Sequence, residues 1–149
     1  MGIIDIARTN VVTADPDTPI ADVVRRIHNK SVGGLVVVDD DEPLDMVTDR
    51  DLTMALLDDQ LDPETTPVRE FVSDDTPVLP ADTGIYETIE HLSEHGVRRA
   101  ILVDDGELAG IISISDIVVL LGMELQLISN AIRSASPAYE QEGPGYFVS

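Results

Sequence analysis

The 149-residue chain contains no cysteine and no tryptophan, and Lys30 is its single lysine. Without thiols it has no disulfide framework, no thiolate metal site and no cysteine nucleophile. Aromatic residues make up only 3%, so the core must be aliphatic, drawn from a hydrophobic fraction of 43%. No stretch approaches the roughly 18 consecutive apolar residues of a membrane span. The start lacks a basic segment ahead of an apolar one. Ile6 stands where a myristoylation signal would carry a hydroxyl. These absences make a soluble, cytoplasmic protein the expectation.

Positive charge is scarce too. Twenty-nine acids face nine bases, for a net charge of −20. A small soluble domain ordinarily carries a net charge of about 2–8 in magnitude, so self-repulsion here is severe at low ionic strength. Near 1 M salt the Debye length falls to about 3 Å and that repulsion is screened. An acidic, lysine-poor, aromatic-poor chain is expected of a halophilic organism's cytosol. Nucleic acid and anionic membrane are excluded as partners, since both are bound by Lys and Arg on the protein surface.

What the chain does have is an internal repeat. A shift of 65 residues lays Ile3–Leu52 on Val68–Ile117 without a gap. Asp17-Thr18-Pro19-Ile20 falls on Asp82-Thr83-Gly84-Ile85, and Val38-Asp39-Asp40 on Val103-Asp104-Asp105. Asp51 meets Asp116. The organisation read from this is repeat one over 1–57, an acidic, proline-containing linker over 58–66 and repeat two over 67–122. A C-terminal helix extension and irregular tail occupy 123–149.

Each repeat reads as β-α-β-β-α, an α+β fold. Ile20, Val23, Val24 and Ile27 recur at helical period, as do Ile85, Ile89 and Leu92 in the second copy. Thr18 and Thr83 are the expected N-caps. The short apolar runs Leu35–Val38 and Ala100–Val103 read as strands buried on both faces. Asp105-Gly106 carries a two-residue hairpin signal. Half a chain buries too little surface to stand comfortably alone, so the copies are expected to pack about a pseudo-twofold axis.

Chemistry is most legible at two equivalent strand-to-helix junctions, Asp45-Met46-Val47-Thr48-Asp49-Arg50-Asp51 and Gly110-Ile111-Ile112-Ser113-Ile114-Ser115-Asp116. A hydroxyl beside the free N–H groups of a helix start is suited to a phosphate. A carboxylate three residues on can accept both hydrogen bonds of a ribose diol. The same spacing is equally that of a capping box.

With both junctions in register, the halves resemble CBS domains, named after cystathionine beta-synthase, over residues 3 to about 122. The family motif runs Gly, two apolar residues, Ser or Thr, two further residues, then Asp. Repeat two matches it, and repeat one carries Asp45 in place of the glycine. The resemblance implies no catalysis and no required cofactor. It implies a regulatory module that senses an adenine nucleotide (AMP, ADP or ATP) in clefts between the repeats, together with a homodimer and an unidentified regulated protein. Carried onto this chain, one cleft joins Thr48, Arg50 and Asp51 to Val78, Leu79, Val97, Arg98 and Arg99. The other joins Ser113, Ser115 and Asp116 to Val12, Thr13, Val32 and Gly33. The first gathers three of the chain's eight arginines, and guanidinium is the preferred partner of phosphate.

Other readings remain. The clefts bind S-adenosylmethionine, or they stay empty and the chain is a scaffold for dimerisation. The latter gains from the missing glycine of repeat one. His91-Leu92-Ser93-Glu94-His95 matches a zinc-peptidase pattern, but the repeat maps the histidines onto Arg26 and Lys30 on the polar side of a helix, with no third ligand. The helices after Asp51 and Asp116 are more apolar than one buried stripe requires, and the homodimer is expected to form through them.

Overall fold

A computed structural model describes residues 1–72 and 75–136. The irregular tail from Pro137 lies outside the described residues. Two compact units are distinguished, residues 1–114 and 115–149.

The first unit holds two three-stranded sheets. In repeat one, β1 (Thr13–Ala14) pairs parallel with β2 (Gly34–Asp39), which pairs antiparallel with β3 (Glu42–Thr48). Repeat two reproduces this with β4 (Val78–Pro80), β5 (Arg99–Asp104) and β6 (Glu107–Ser113). Helix α1 (Ile20–Asn29) crosses from β1 to β2, α3 (Ile85–His95) crosses from β4 to β5, and α2 (Asp49–Ala55) follows β3. The mixed α+β reading therefore holds, element for element.

The central strands are buried as their apolar runs require. Leu35, Val36 and Val37, like Ala100, Ile101 and Leu102, have no exposed surface. Burying such a side chain is worth roughly 1.5–3 kcal/mol. Ile20, Val23 and Ile27 turn inward from α1, whereas Val24, expected on the same stripe, is exposed. In α3 the inward position beside Leu92 is Thr88, whose hydroxyl is satisfied by the Gly84 carbonyl at 2.8 Å.

The predicted threonine caps are not formed. The N-cap residues are Pro19 and Gly84, neither with a side-chain cap bond. Thr83 instead donates its hydroxyl to the Pro80 carbonyl at 2.6 Å, closing a turn. At α1 the free N–H groups of Ile20 and Ala21 go to the carbonyls of Thr66 and Pro63, at 3.0 and 2.9 Å. The segment between the repeats thus caps a helix. It is also tied to that helix by the Arg25–Glu64 ion pair at 2.7 Å.

Hairpin turns are equivalent in the two repeats. Asp105 and Gly106 have φ of 50° and 79°, and Asp40 and Asp41 have 48° and 67°, as a primed turn demands. After α1, Ser31 adopts φ 54° where Gly96 after α3 has 63°.

The repeats exchange their entry segments. Residues Ile3–Ile6, sequence of repeat one, hang on repeat two: the Ile3 and Ile4 N–H groups donate to Thr83 and Ala81. Val68–Phe71 returns the exchange, with Val68 in the core of repeat one and its N–H on the Thr18 carbonyl. This reciprocity ties the two copies into one unit.

Helix α4 (Ile114–Ala135) forms the described part of the second unit, beginning one residue before it. Ile117 is buried, while Val118, Val119, Leu121, Met123, Leu125, Leu127, Ile128 and Ile132 are exposed. By length and composition α4 is long and apolar enough to cross a membrane, although polar residues interrupt its apolar ones.

Candidate functional site

The junction β3–α2 builds the first site. Thr48 ends β3 with extended backbone and caps α2: its hydroxyl oxygen accepts the Asp51 N–H at 3.2 Å. The Asp51 carboxylate accepts the Thr48 N–H at 3.0 Å through Oδ2. The capping box is therefore real, and it fixes the rotamers of both side chains. Each keeps spare capacity, since the Thr48 hydroxyl has a hydrogen to donate and Asp51 a second carboxylate oxygen.

The same geometry corrects the expected role of the helix start. The Asp49 N–H donates to the Gly33 carbonyl at 2.9 Å, the Arg50 N–H to the Asp49 carboxylate at 2.8 Å, and the Asp51 N–H to Thr48. The first three donors of α2 are occupied. Any anion held here has to be held by side chains.

Those side chains are present. Thr48, Asp49, Arg50 and Asp51 share a cleft of about 550 Å³ with Gly33, Met46, Asp75, Thr76, Val97, Arg98 and Arg99. That volume lies within the ~300–1,000 Å³ typical of small-molecule sites. Arg25 pairs with Asp22 and Glu64, which raise its pKa, Glu64 first; Arg69 pairs with Asp17, and Arg26 donates to the Thr13 carbonyl. Among the described residues Arg50, Arg98 and Arg99 have no such partner. Three guanidinium groups with no ion pair among the described residues, beside the carboxylates of Asp49, Asp51 and Asp75, give the cleft donors suited to a phosphate.

Six of the eight residues expected in this cleft line it. Val78 and Leu79 do not. Parallel pairing sets Leu79 opposite Leu102, which buries Leu79 in the core, and Val78 is exposed opposite Ile101. Asp75 and Thr76, just ahead of the strand, line the cleft in their place. Only the exact strand start, which periodicity does not give, separates these alternatives.

Gly33 was assigned to the other cleft and lines this one, drawn to α2 by its bond with the Asp49 N–H. The neighbouring Gly34 has a structural reason: a Cβ there would lie 2.8 Å from the Val47 carbonyl oxygen. Of the remaining residues in that set, Thr13 lies in β1 opposite Val36, Val12 and Val32 pack against the core of repeat one, and Ser113 ends β6 opposite Arg99. Ser115 and Asp116 stand in the first turn of α4, in the second unit.

The histidine pair on α3 gathers no third ligand, and no cluster of three or more metal-ligating side chains occurs among the described residues. His95 Nδ1 is engaged with the His91 carbonyl at 2.8 Å.

Comparison with known proteins agrees with this architecture. The CBS domain model matches residues 3–58 and 68–122. An uncharacterized protein of Methanopyrus kandleri is 28% identical over 116 residues, covering 76% of this chain. The chain spans 59% of that relative's length and 42% of one from Methanocaldococcus jannaschii. Among solved structures, Hypoxic Response Protein I with two coordinated zinc ions is 27% identical with a TM-score of 0.70, covering 79% of this chain and 97% of its own. The CBS domain pair of protein MJ0100, in complex with 5′-methylthioadenosine and S-adenosyl-L-methionine, has the same fold at 19% identity, a TM-score of 0.70 and coverage of 83% and 98%. The chain belongs to the CBS domain family and carries a tandem pair of its repeats.

Proposed function

We propose that the chain is a regulatory module that senses an adenine nucleotide in the cleft of Thr48, Arg50, Asp51, Arg98 and Arg99, and that it catalyses nothing. The observation carrying this reading is three guanidinium groups gathered in one cleft, none in an ion pair among the described residues, in a chain where acids outnumber bases 29 to 9. A nucleotide's phosphates accept charge-assisted hydrogen bonds from these groups. The Thr48 hydroxyl donates to a ligand oxygen, and the free oxygen of Asp51 accepts from the ribose diol.

S-Adenosylmethionine is the second reading, favoured by the adenosyl ligands of the MJ0100 pair. It offers the three arginines one carboxylate where a nucleotide offers phosphates, so AMP, ADP or ATP is preferred. No cofactor or metal is required. The module is cytoplasmic and adapted to high salt, and it forms a homodimer through the exposed apolar positions of α2 and α4. It acts on a regulated protein that reads the change in the clefts. Isothermal titration in molar KCl with ATP, AMP and S-adenosylmethionine tests the ligand. Saturable heats with the nucleotides support it, whereas tighter binding of S-adenosylmethionine, or no heat from any of the three, rejects it.

A further inference from the structure

Asp45 stands where the second repeat has Gly110. A Cβ on Gly110 would lie 2.9 Å from the Arg8 carbonyl oxygen. The bare glycine lets the segment entering β1 run directly against β6, where Arg8 and Ile111 exchange both backbone hydrogen bonds at 2.9 Å. On β3 a carboxylate occupies the equivalent position. Asp45 is 1% exposed, and its carboxylate accepts the Met46 N–H at 2.6 Å through Oδ1. Through Oδ2 it accepts the N–H groups of Asp75 at 3.0 Å and Thr76 at 3.4 Å. The Asp45 side chain thus ties β3 to Asp75 and Thr76, the residues just ahead of β4.

Asp75, Thr76 and Met46 all line the cleft. A buried carboxylate left without its donors carries a large desolvation penalty, so these bonds are held firmly. We infer that Asp45 is a positioning residue for the cleft: through its bonds to the Asp75 and Thr76 N–H groups it sets the distance of that wall from β3. The inference deepens the nucleotide reading and rests on it for its binding arm.

The test compares Asp45→Gly and Asp45→Asn with the full-length wild type in molar KCl. Glycine installs the residue that the second repeat uses, and asparagine keeps one acceptor oxygen. Asp45→Gly is expected to weaken ATP binding about tenfold through displacement of the Asp75–Thr76 wall, and Asp45→Asn to weaken it less. Amide hydrogen exchange at Asp75 and Thr76 should quicken in Asp45→Gly while the amides of Ala100–Leu102 stay protected. ATP affinity within about twofold of wild type, or unchanged exchange at Asp75 and Thr76, overturns the inference. If wild type binds no ATP, the nucleotide reading fails separately and exchange alone decides the role of Asp45. If Asp45→Gly does not fold, Asp45→Asn carries the same two readouts.

Discussion

Truncating Arg98 to alanine separates the charge argument from every other feature of the cleft. Arg98 is exposed, and its side chain has no hydrogen-bond or ion-pair partner among the described residues. Its structural contribution is the backbone carbonyl, which accepts the Ile114 N–H at 2.9 Å and is unaffected by the substitution. The free protein should therefore change in stability by no more than about 0.5 kcal/mol. Loss of one charge-assisted hydrogen bond to phosphate costs about 1.5–3 kcal/mol, or roughly 10–150-fold in affinity. Molar KCl does not erase this, because the Debye length of about 3 Å is comparable to the contact itself. Titration of ATP and adenosine into both proteins reads the result. ATP should weaken by at least about tenfold while adenosine, lacking phosphate, keeps its affinity. Equal losses for both ligands, or unchanged ATP binding, would refute the assignment of the arginines to phosphate.

Asp51→Ala removes half of the capping box as well as the acceptor for the ribose diol, so it should cost about 1 kcal/mol of stability and weaken ATP and adenosine alike, measured by denaturant melts and calorimetry. Ser31→Gly relieves the left-handed backbone at φ 54° and should raise stability by up to about 1 kcal/mol, read as a higher urea midpoint. The net charge of −20 predicts a melting temperature that rises with KCl past physiological strength and then flattens; a maximum already reached at low salt contradicts adaptation to high salt. Leu121→Glu, at an exposed apolar position of α4, should convert a dimer to a monomer in light scattering without weakening ATP binding.

The fold was legible because the repeat supplies each element twice. Leu35–Val38 and Ala100–Val103 are ambiguous alone, and their shared place before a turn identifies both as strands. Cap identity was not legible. Threonine has the right chemistry at Thr18 and Thr83, yet the donors of α1 go to carbonyls of Pro63 and Thr66, distant in sequence, which no local signal encodes. The site was legible where chemistry is unusual. Arginine in so acidic a chain pointed to Arg50, Arg98 and Arg99, which share the cleft, while the apolar neighbours Val78 and Leu79 were displaced from it by the register of β4. The substitution of Asp45 for glycine favoured an empty scaffold when read from sequence. In the structure that carboxylate binds the cleft wall, an arrangement that depends on the entry path of a distant segment.

The most direct test of the account is an ATP titration of isotopically labelled protein in molar KCl, followed through its backbone amide resonances. The account predicts saturable shifts concentrated at Thr48–Asp51, Asp75–Thr76 and Val97–Arg99, the residues that line the cleft. Shifts that cluster elsewhere, or none at millimolar ATP, would contradict it.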